Sequence, residues 1–265
     1  MNLVKRVAAA AVLAPVVVAA ALWENPFAWM MLVLAAIFLA MMEYAVIVFS
    51  PEESWDRMFL VMMGTLMAAF ILMLPRFLIE VGIWVVMVTA AAAVLFSPHP
   101  PTAAARLGKH FTGLFLIAYL MTFAGLIKQM PHGGRFILLM LTTVWFGDTG
   151  AYFVGKTVGR HKLAPLVSPN KTWEGAIGGL LASVGAGALA TLYVPDLPWQ
   201  VALPLSALLG IMGQFGDLAE SLVKRAYNVK DSGSIIPGHG GVWDRVDAVV
   251  FAAPILFAYL HMAYS

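Results

Sequence analysis

Four groups of ionisable residues stand inside or beside long apolar stretches of this 265-residue chain. The first surrounds Asp148, in Trp145-Phe-Gly-Asp-Thr-Gly-Ala-Tyr152. Read from its residues, Asp148 either caps a broken helix between Gly147 and Gly150 or serves as a cation ligand. The second runs through Gly155-Lys-Thr-Val-Gly-Arg-His-Lys162 to Ser168-Pro-Asn-Lys-Thr-Trp-Glu174. Its glycines expose amide groups, and its lysines and arginine add positive charge, so it could cradle phosphates. A basic link resting on anionic lipid would look the same. Ser168 and Pro169, followed by Lys171, Thr172 and Glu174, read as a structured turn that starts a helix. The spacing G-x-x-x-x-G-K-[ST] of a Walker A loop is absent.

In the third group Asp217, Glu220, Ser221 and Lys224 are three, four and seven positions apart, so they share one helical face. Glu220 and Lys224 suit an i,i+4 ion pair, which leaves Asp217 over. The fourth group is Lys230-Asp231-Ser-Gly-Ser-Ile-Ile-Pro-Gly-His239-Gly-Gly-Val-Trp-Asp244-Arg245-Val-Asp247. Asp244 and Asp247 are three apart, so both point to one side of a helix. Pro237, Gly238, Gly240 and Gly241 let the backbone around His239 approach a ligand closely. No second histidine has metal spacing to His239.

An ionisable side chain at membrane depth costs several kcal/mol unless it is paired, hydrated or metal-bound. Asp148, Asp217, Asp244 and Asp247 all fall at the ends of apolar runs. Such carboxylates can hold Mg²⁺, an oxygen-seeking ion that shares itself with substrate phosphates. Their number leaves room for a second cation. Neighbouring lysines and arginines can hold nucleotide phosphates. Acidic and basic groups mixed at one membrane face suit phosphoryl or nucleotidyl transfer better than a plain channel.

The elements that must carry these residues are membrane helices. Hydrophobic residues make up 62% of the chain and charged residues 11%, with a mean hydropathy of +0.87. Soluble domains are about 25% charged. Nine runs are long and apolar enough to span a bilayer, near 3–23, 27–49, 58–74, 77–96, 111–127, 136–153, 175–194, 201–224 and 244–263. They do not alternate in polarity, which favours an all-α bundle over a barrel. Lys5 and Arg6 before the first run resemble a secretion signal. Because further spans follow, the first run is expected to stay as an anchor.

With the N-terminus inside, thirteen of the sixteen lysines and arginines fall in inner segments; only Arg76, Lys128 and Arg135 fall outside. That bias predicts an N-in, C-out polytopic protein. The long links 154–173 and 225–243 then face the cytoplasm. No internal repeat is visible. A single domain over 1–265 is expected, with 1–135 mainly scaffold and 136–265 carrying the catalytic spans and loops. A net charge of +2 provides no basic face for nucleic acid, and the absence of cysteine excludes disulfides, thiolate metal sites and thiol nucleophiles.

The segment from Ser221 to Asp247 resembles throughout the signature of the phosphatidate cytidylyltransferases: S-x-apolar-K-R, four residues, K-D, then P-x-H-G-G, two residues and D-R-apolar-D. The resemblance covers 27 positions there. It extends upstream to the blocks around Asp148 and 168–175. Glu43, in a Glu-Tyr pair, stands where that family often has a membrane-embedded glutamate. The resemblance implies the reaction of CTP with phosphatidate to give CDP-diacylglycerol and pyrophosphate. It also implies Mg²⁺ dependence, a homodimer and a place in the bacterial inner membrane. Asp148, Asp217, Asp244 and Asp247 would then surround the metal and polyphosphate. Lys171, Lys224, Arg225, Lys230 and Arg245 would bind phosphates of CTP or lipid. Asp217, Asp244, Lys224, Arg225 and His239 are the expected catalytic set. Ser168, Asn170, Glu174, Ser221, Asp231, Gly240 and Gly241 are expected to line the substrates.

Two other functions fit parts of the pattern. A CTP-dependent kinase of a lipid alcohol shares it distantly, and would pass on the γ-phosphate instead. An ion-coupled transporter would need polar groups through the whole membrane depth, where only Glu43 and Glu80 qualify. The D-G-x-x-A-R…G-x-x-x-D-x-x-x-D pattern of CDP-alcohol phosphotransferases is absent.

Overall fold

The computed structural model describes residues 3–74, 84, 87–88, 91, 102–235 and 240–264. The described chain is nearly all helix: α1 Leu3–Leu22, α2 Pro26–Val48, α3 Ser54–Met73, α4 Ala103–Ile127, α5 Gly133–Val158, α6 Trp173–Ala190, α7 Trp199–Ala226 and α8 Trp243–Tyr264. Seven of these, counting α3 with the short 3₁₀ turn before it, are long and apolar enough to cross a membrane. The chain is an all-α, multi-pass membrane protein. Eight of the nine expected spans correspond to described helices. The ninth, at 77–96, lies almost wholly outside the described residues, as do Arg76 and Glu80.

Local chemistry explains several helix starts. Asn25 Oδ1 accepts the amide of Phe27 at 2.9 Å, and Pro26 occupies the first turn of α2, where no amide is needed. Thr172 does the same for α6, its hydroxyl accepting from Gly175 N at 3.1 Å. In the middle of α4, Leu114–Tyr119 widens into a π-helical turn. The outer faces of the bundle are apolar, with Val46, Phe70, Ile177, Leu181 and Phe215 all exposed as expected against lipid.

The bundle has one core that draws on both halves of the chain. Phe136, Met140, Ile37, Met41, Leu60 and Leu256 are all buried in it. The C-terminal helix α8 packs on α2, α4, α5 and α7. On the early helices Asp56 binds Arg106 and lies 2.9 Å from His110 Nε2, tying α3 to α4.

Among the described residues the most extensive helix contact is α5 on α6, and small residues make it possible. A Cβ on Gly147 would come within 2.6 Å of Ser183 Oγ, and one on Gly150 within 2.6 Å of Ala182 Cβ. Such small-residue faces let helix backbones approach in lipid, where hydrophobic burial gives no drive. Polar groups then join the helices directly. Ser183 Oγ donates to Thr143 O at 3.0 Å, and Gln214 Nε2 of α7 donates to Ala176 O of α6 at 3.1 Å.

Between α5 and α6 the chain departs from expectation. Helix α5 runs on to Val158, five residues beyond the predicted span. The segment expected to be a turn is instead an antiparallel hairpin, β1 Lys162–Ala164 paired with β2 Ser168–Thr172. Trp173 then starts α6 as expected, its amide donating to His161 O at 2.9 Å. Pro169 is compatible with this strand because a two-stranded ribbon leaves each strand an unpaired edge.

Candidate active site

Helices α5, α6 and α7 and the hairpin enclose a cleft of about 590 Å³. Asp148, Tyr152 and Lys156 line it from α5, Asn170, Lys171 and Thr172 from β2, and Gln214 and Asp217 from α7. Asp148 is not covered by other protein groups where it lines the cleft. Lys171 Nζ lies 2.7 Å from Asp217 Oδ2, joining hairpin to α7 across the cleft. Asp217 Oδ1 accepts from Ser221 Oγ one turn on, at 3.3 Å. Lys156 packs over the ring of Tyr152, 5.6 Å from its centroid.

Asp247 of α8 stands beside this cleft, within electrostatic reach of Asp217, Asp148 and Glu220. Arg245 is exposed and within electrostatic reach of Asp148. Residues distant in sequence, on α5, β2, α7 and α8, therefore meet at one place.

Asp244 sits in a neighbouring, more enclosed network. Its Oδ1 is 2.6 Å from Lys224 Nζ, which also lies 3.1 Å from Glu220 Oε1. Its Oδ2 accepts from Ser232 N at 2.9 Å and Gly241 N at 2.8 Å, with Ser232 Oγ 3.0 Å away. Gly240 supplies the positive φ of +80° that turns the chain into this contact. Asp244 and Lys224 thus hold the loop before α8.

Other expected site residues have local partners. Glu174 accepts the amides of Arg160 and His161 at 3.1 and 3.2 Å and contacts His161 Nδ1 at 2.5 Å. It clamps the end of α5 to the start of α6. Arg225 donates to Val167 O at 3.2 Å and to Val229 O at 3.1 Å, fastening the hairpin to the end of α7. Ser168 opens β2, and Lys230 and Asp231 are exposed on the loop after α7. His239 lies outside the described residues. Sequence reasoning placed no role on Tyr152, Gln214 or Ser232, and read Lys156 only as part of a link that could cradle phosphates. The i,i+4 spacing of Tyr152 and Lys156 beside Asp148 was the available signal; Gln214 and Ser232 had none.

Magnesium prefers hard oxygen donors and keeps several of its waters. Asp148 and Asp217 in the cleft, with Asp247 beside them, offer that donor chemistry, so the residues fit the ion. Among the described residues no three acidic or histidine side chains already stand at coordinating distances. Substrate oxygens would have to complete the shell.

Within a bundle of helices long and apolar enough to cross a membrane, the cleft sets the carboxylates of Asp148 and Asp217 against Lys156 and Lys171. The chain belongs to the Cytidylyltransferase family, whose profile matches residues 4–263. It is 47% identical over 149 residues to a protein of Brucella suis biovar 1 (strain 1330) named phosphatidate cytidylyltransferase, covering 56% of this chain and 55% of that one. A protein of the same name from Staphylococcus aureus (strain COL) is 46% identical over 146 residues, covering 54% and 56% of the two chains. The chain thus spans about half the length of the curated relatives it matches.

Proposed function

We propose that this protein transfers CMP from CTP to phosphatidate, forming CDP-diacylglycerol and releasing pyrophosphate. One observation carries the reading. In a chain of the cytidylyltransferase family, Lys224, Ser232, Gly241 and Asp244 of the Ser221–Asp247 signature are tied together, and Ser221 is tied to Asp217, beside a cleft containing Lys171, Asp148 and Asp217.

The step needs no strong base, because phosphatidate is already anionic near neutral pH. A phosphate oxygen of the lipid bonds to the α-phosphorus of CTP, and the bond from that phosphorus to the β-phosphate oxygen breaks. The task of the protein is to bring two polyanions together and stabilise charge on the leaving group. Lys171 holds Asp217 across the open cleft; an entering triphosphate competes for that ammonium. Lys156 and Arg245 add positive charge at the rim, and Lys224 keeps the loop before α8 in place. Asp148, Asp217 and Asp247 would hold Mg²⁺, with Asp244 positioning the same face. When bound, the ion supplies charge neutralisation on the phosphates.

The excess of lysine and arginine in alternate links supports an N-in, C-out orientation in a bacterial inner membrane, with the cleft at the cytoplasmic face. The resemblance in sequence supports a homodimer and leaves a second cation open to titration.

The test uses purified protein with Mg²⁺, CTP labelled either in the base or in the γ-phosphate, and either phosphatidate or a lipid alcohol as acceptor. Base label in the lipid product is expected. Lipid that carries only γ-phosphate label would identify a lipid kinase, and ion flux in liposomes without CTP would identify a transporter.

A further inference from the structure

We propose that Glu43, on the second helix, is a positioning residue for the reaction, acting through the loop that delivers Asp244 and Asp247. The proposal rests on the reading of the cleft as a nucleotidyl-transfer site. Glu43 is buried, at 5% exposure, in a helix otherwise made of apolar residues. A carboxylate in such a place is costly unless its oxygens are filled.

Its oxygens are filled from the far end of the chain. Oε1 accepts Val242 N and Oε2 accepts Trp243 N, each at 2.9 Å; Ser232 Oγ stands 2.9 Å from Oε2 and 3.0 Å from Asp244 Oδ2, so its single proton serves one of the two carboxylates at a time. The first amides of α8 have no partner within their own helix, so Glu43 caps that helix from another one. Its negative charge also meets the positive end of the α8 dipole. Tyr44, the next residue, packs edge-on against Trp243 at 5.4 Å and donates to Lys109 O at 2.8 Å.

The loop closes tightly around this carboxyl group. Any side chain at Gly241 would collide with both Ser232 Oγ and Glu43 Oε2, and a Cβ at Gly233 would lie 2.8 Å from Glu43 Oε1. Ser232 touches Glu43 on one side and Asp244 on the other. A continuous polar chain therefore runs from Glu43 through Ser232, Asp244 and Lys224 to Glu220. It spans α2, the loop, α8 and α7. Loss of the Glu43 end frees the start of α8, one turn before Asp247. By contrast, Lys171 and Asn170 sit on β2 and make none of these contacts.

Glu43→Gln keeps the size of the side chain but turns an NH₂ group toward N–H donors. Ser232→Ala removes only the bridging hydroxyl. In either variant, turnover per CTP-binding site should fall about 10- to 100-fold, with the KM for CTP changing by no more than about threefold. CTP-binding sites are counted by equilibrium binding. The double variant should be no slower than Glu43→Gln alone, because both changes act through one contact. In Glu43→Gln, amide exchange at Val242 and Trp243 should quicken while α6 keeps its protection.

A purely structural role would lower the number of CTP-binding sites and leave turnover per site unchanged; that result overturns the inference. So would wild-type turnover in both variants, or unchanged exchange at Val242 and Trp243. Failure of the functional reading is distinct: the wild-type protein itself would give no CDP-lipid, while the exchange experiment would still report on the cap.

Discussion

Replacing Lys224 with methionine tests the network beneath the cleft most sharply. The side chain is 10% exposed, and its ammonium serves Glu220, 2% exposed, and Asp244, 8% exposed. At the observed separations of 2.6 and 3.1 Å, an effective dielectric near 20 gives gross attractions of about 6 and about 5 kcal/mol. Desolvation of three ions offsets much of this, so the pair adds little over a well-packed apolar substitute. Removing only the cation is different, because two buried carboxylates then face each other with nothing between them. The expected loss is about 3–5 kcal/mol. In thermal unfolding of detergent-solubilised protein this corresponds to a drop on the order of 10 °C. Lys162→Met, at an exposed position of β1, is the control and should melt within about 2 °C of wild type. Activity should fall with Lys224→Met, since Asp244 loses its main anchor. A Lys224→Met protein that melts with the wild type would refute the claim that Lys224 neutralises both acids in the folded state.

Two further outcomes follow from the packing. Gly150→Val drives a side chain against Ala182 and the Gly178 carbonyl, where even a Cβ would approach to 2.6 and 2.9 Å. It should cost about 1–3 kcal/mol or more, read as a lower melting temperature, and should lower activity by displacing Asp148, two residues away on the same helix. Glu174→Gln leaves the Arg160 and His161 amides with a poorer acceptor; limited proteolysis should then cut faster within 160–168, with the helices unchanged.

Much of the helical framework was legible because lipid imposes a simple rule: a span must be long, apolar and internally hydrogen-bonded. The face shared by Asp217, Ser221 and Lys224 followed from helical spacing, as did the Glu220–Lys224 pair. The hairpin was not legible. Strands of three and five residues, one starting Ser-Pro-Asn, lack the alternation that marks a half-buried sheet. Nor could spacing reveal that Glu174 and Arg225 tie elements together, since their partners are mainly backbone groups. Glu43 was visible as an embedded acid, but its partners lie 189 to 200 residues away. Only the fold brings them together. Asp244 read as an equal of Asp217; the structure separates them, with Asp217 on the open cleft and Asp244 enclosed by Lys224, Ser232 and Gly241.

The central claim is that Asp148, Asp217 and Asp247, from three helices, act together on one divalent ion that accompanies CTP. Electron paramagnetic resonance of Mn²⁺, titrated into the protein with CTP present, tests it directly. Bound Mn²⁺ is expected in the wild type, with clearly weaker binding and lost transfer in Asp148→Asn, Asp217→Asn and Asp247→Asn alike. Wild-type Mn²⁺ affinity together with wild-type turnover in any one of the three would contradict it.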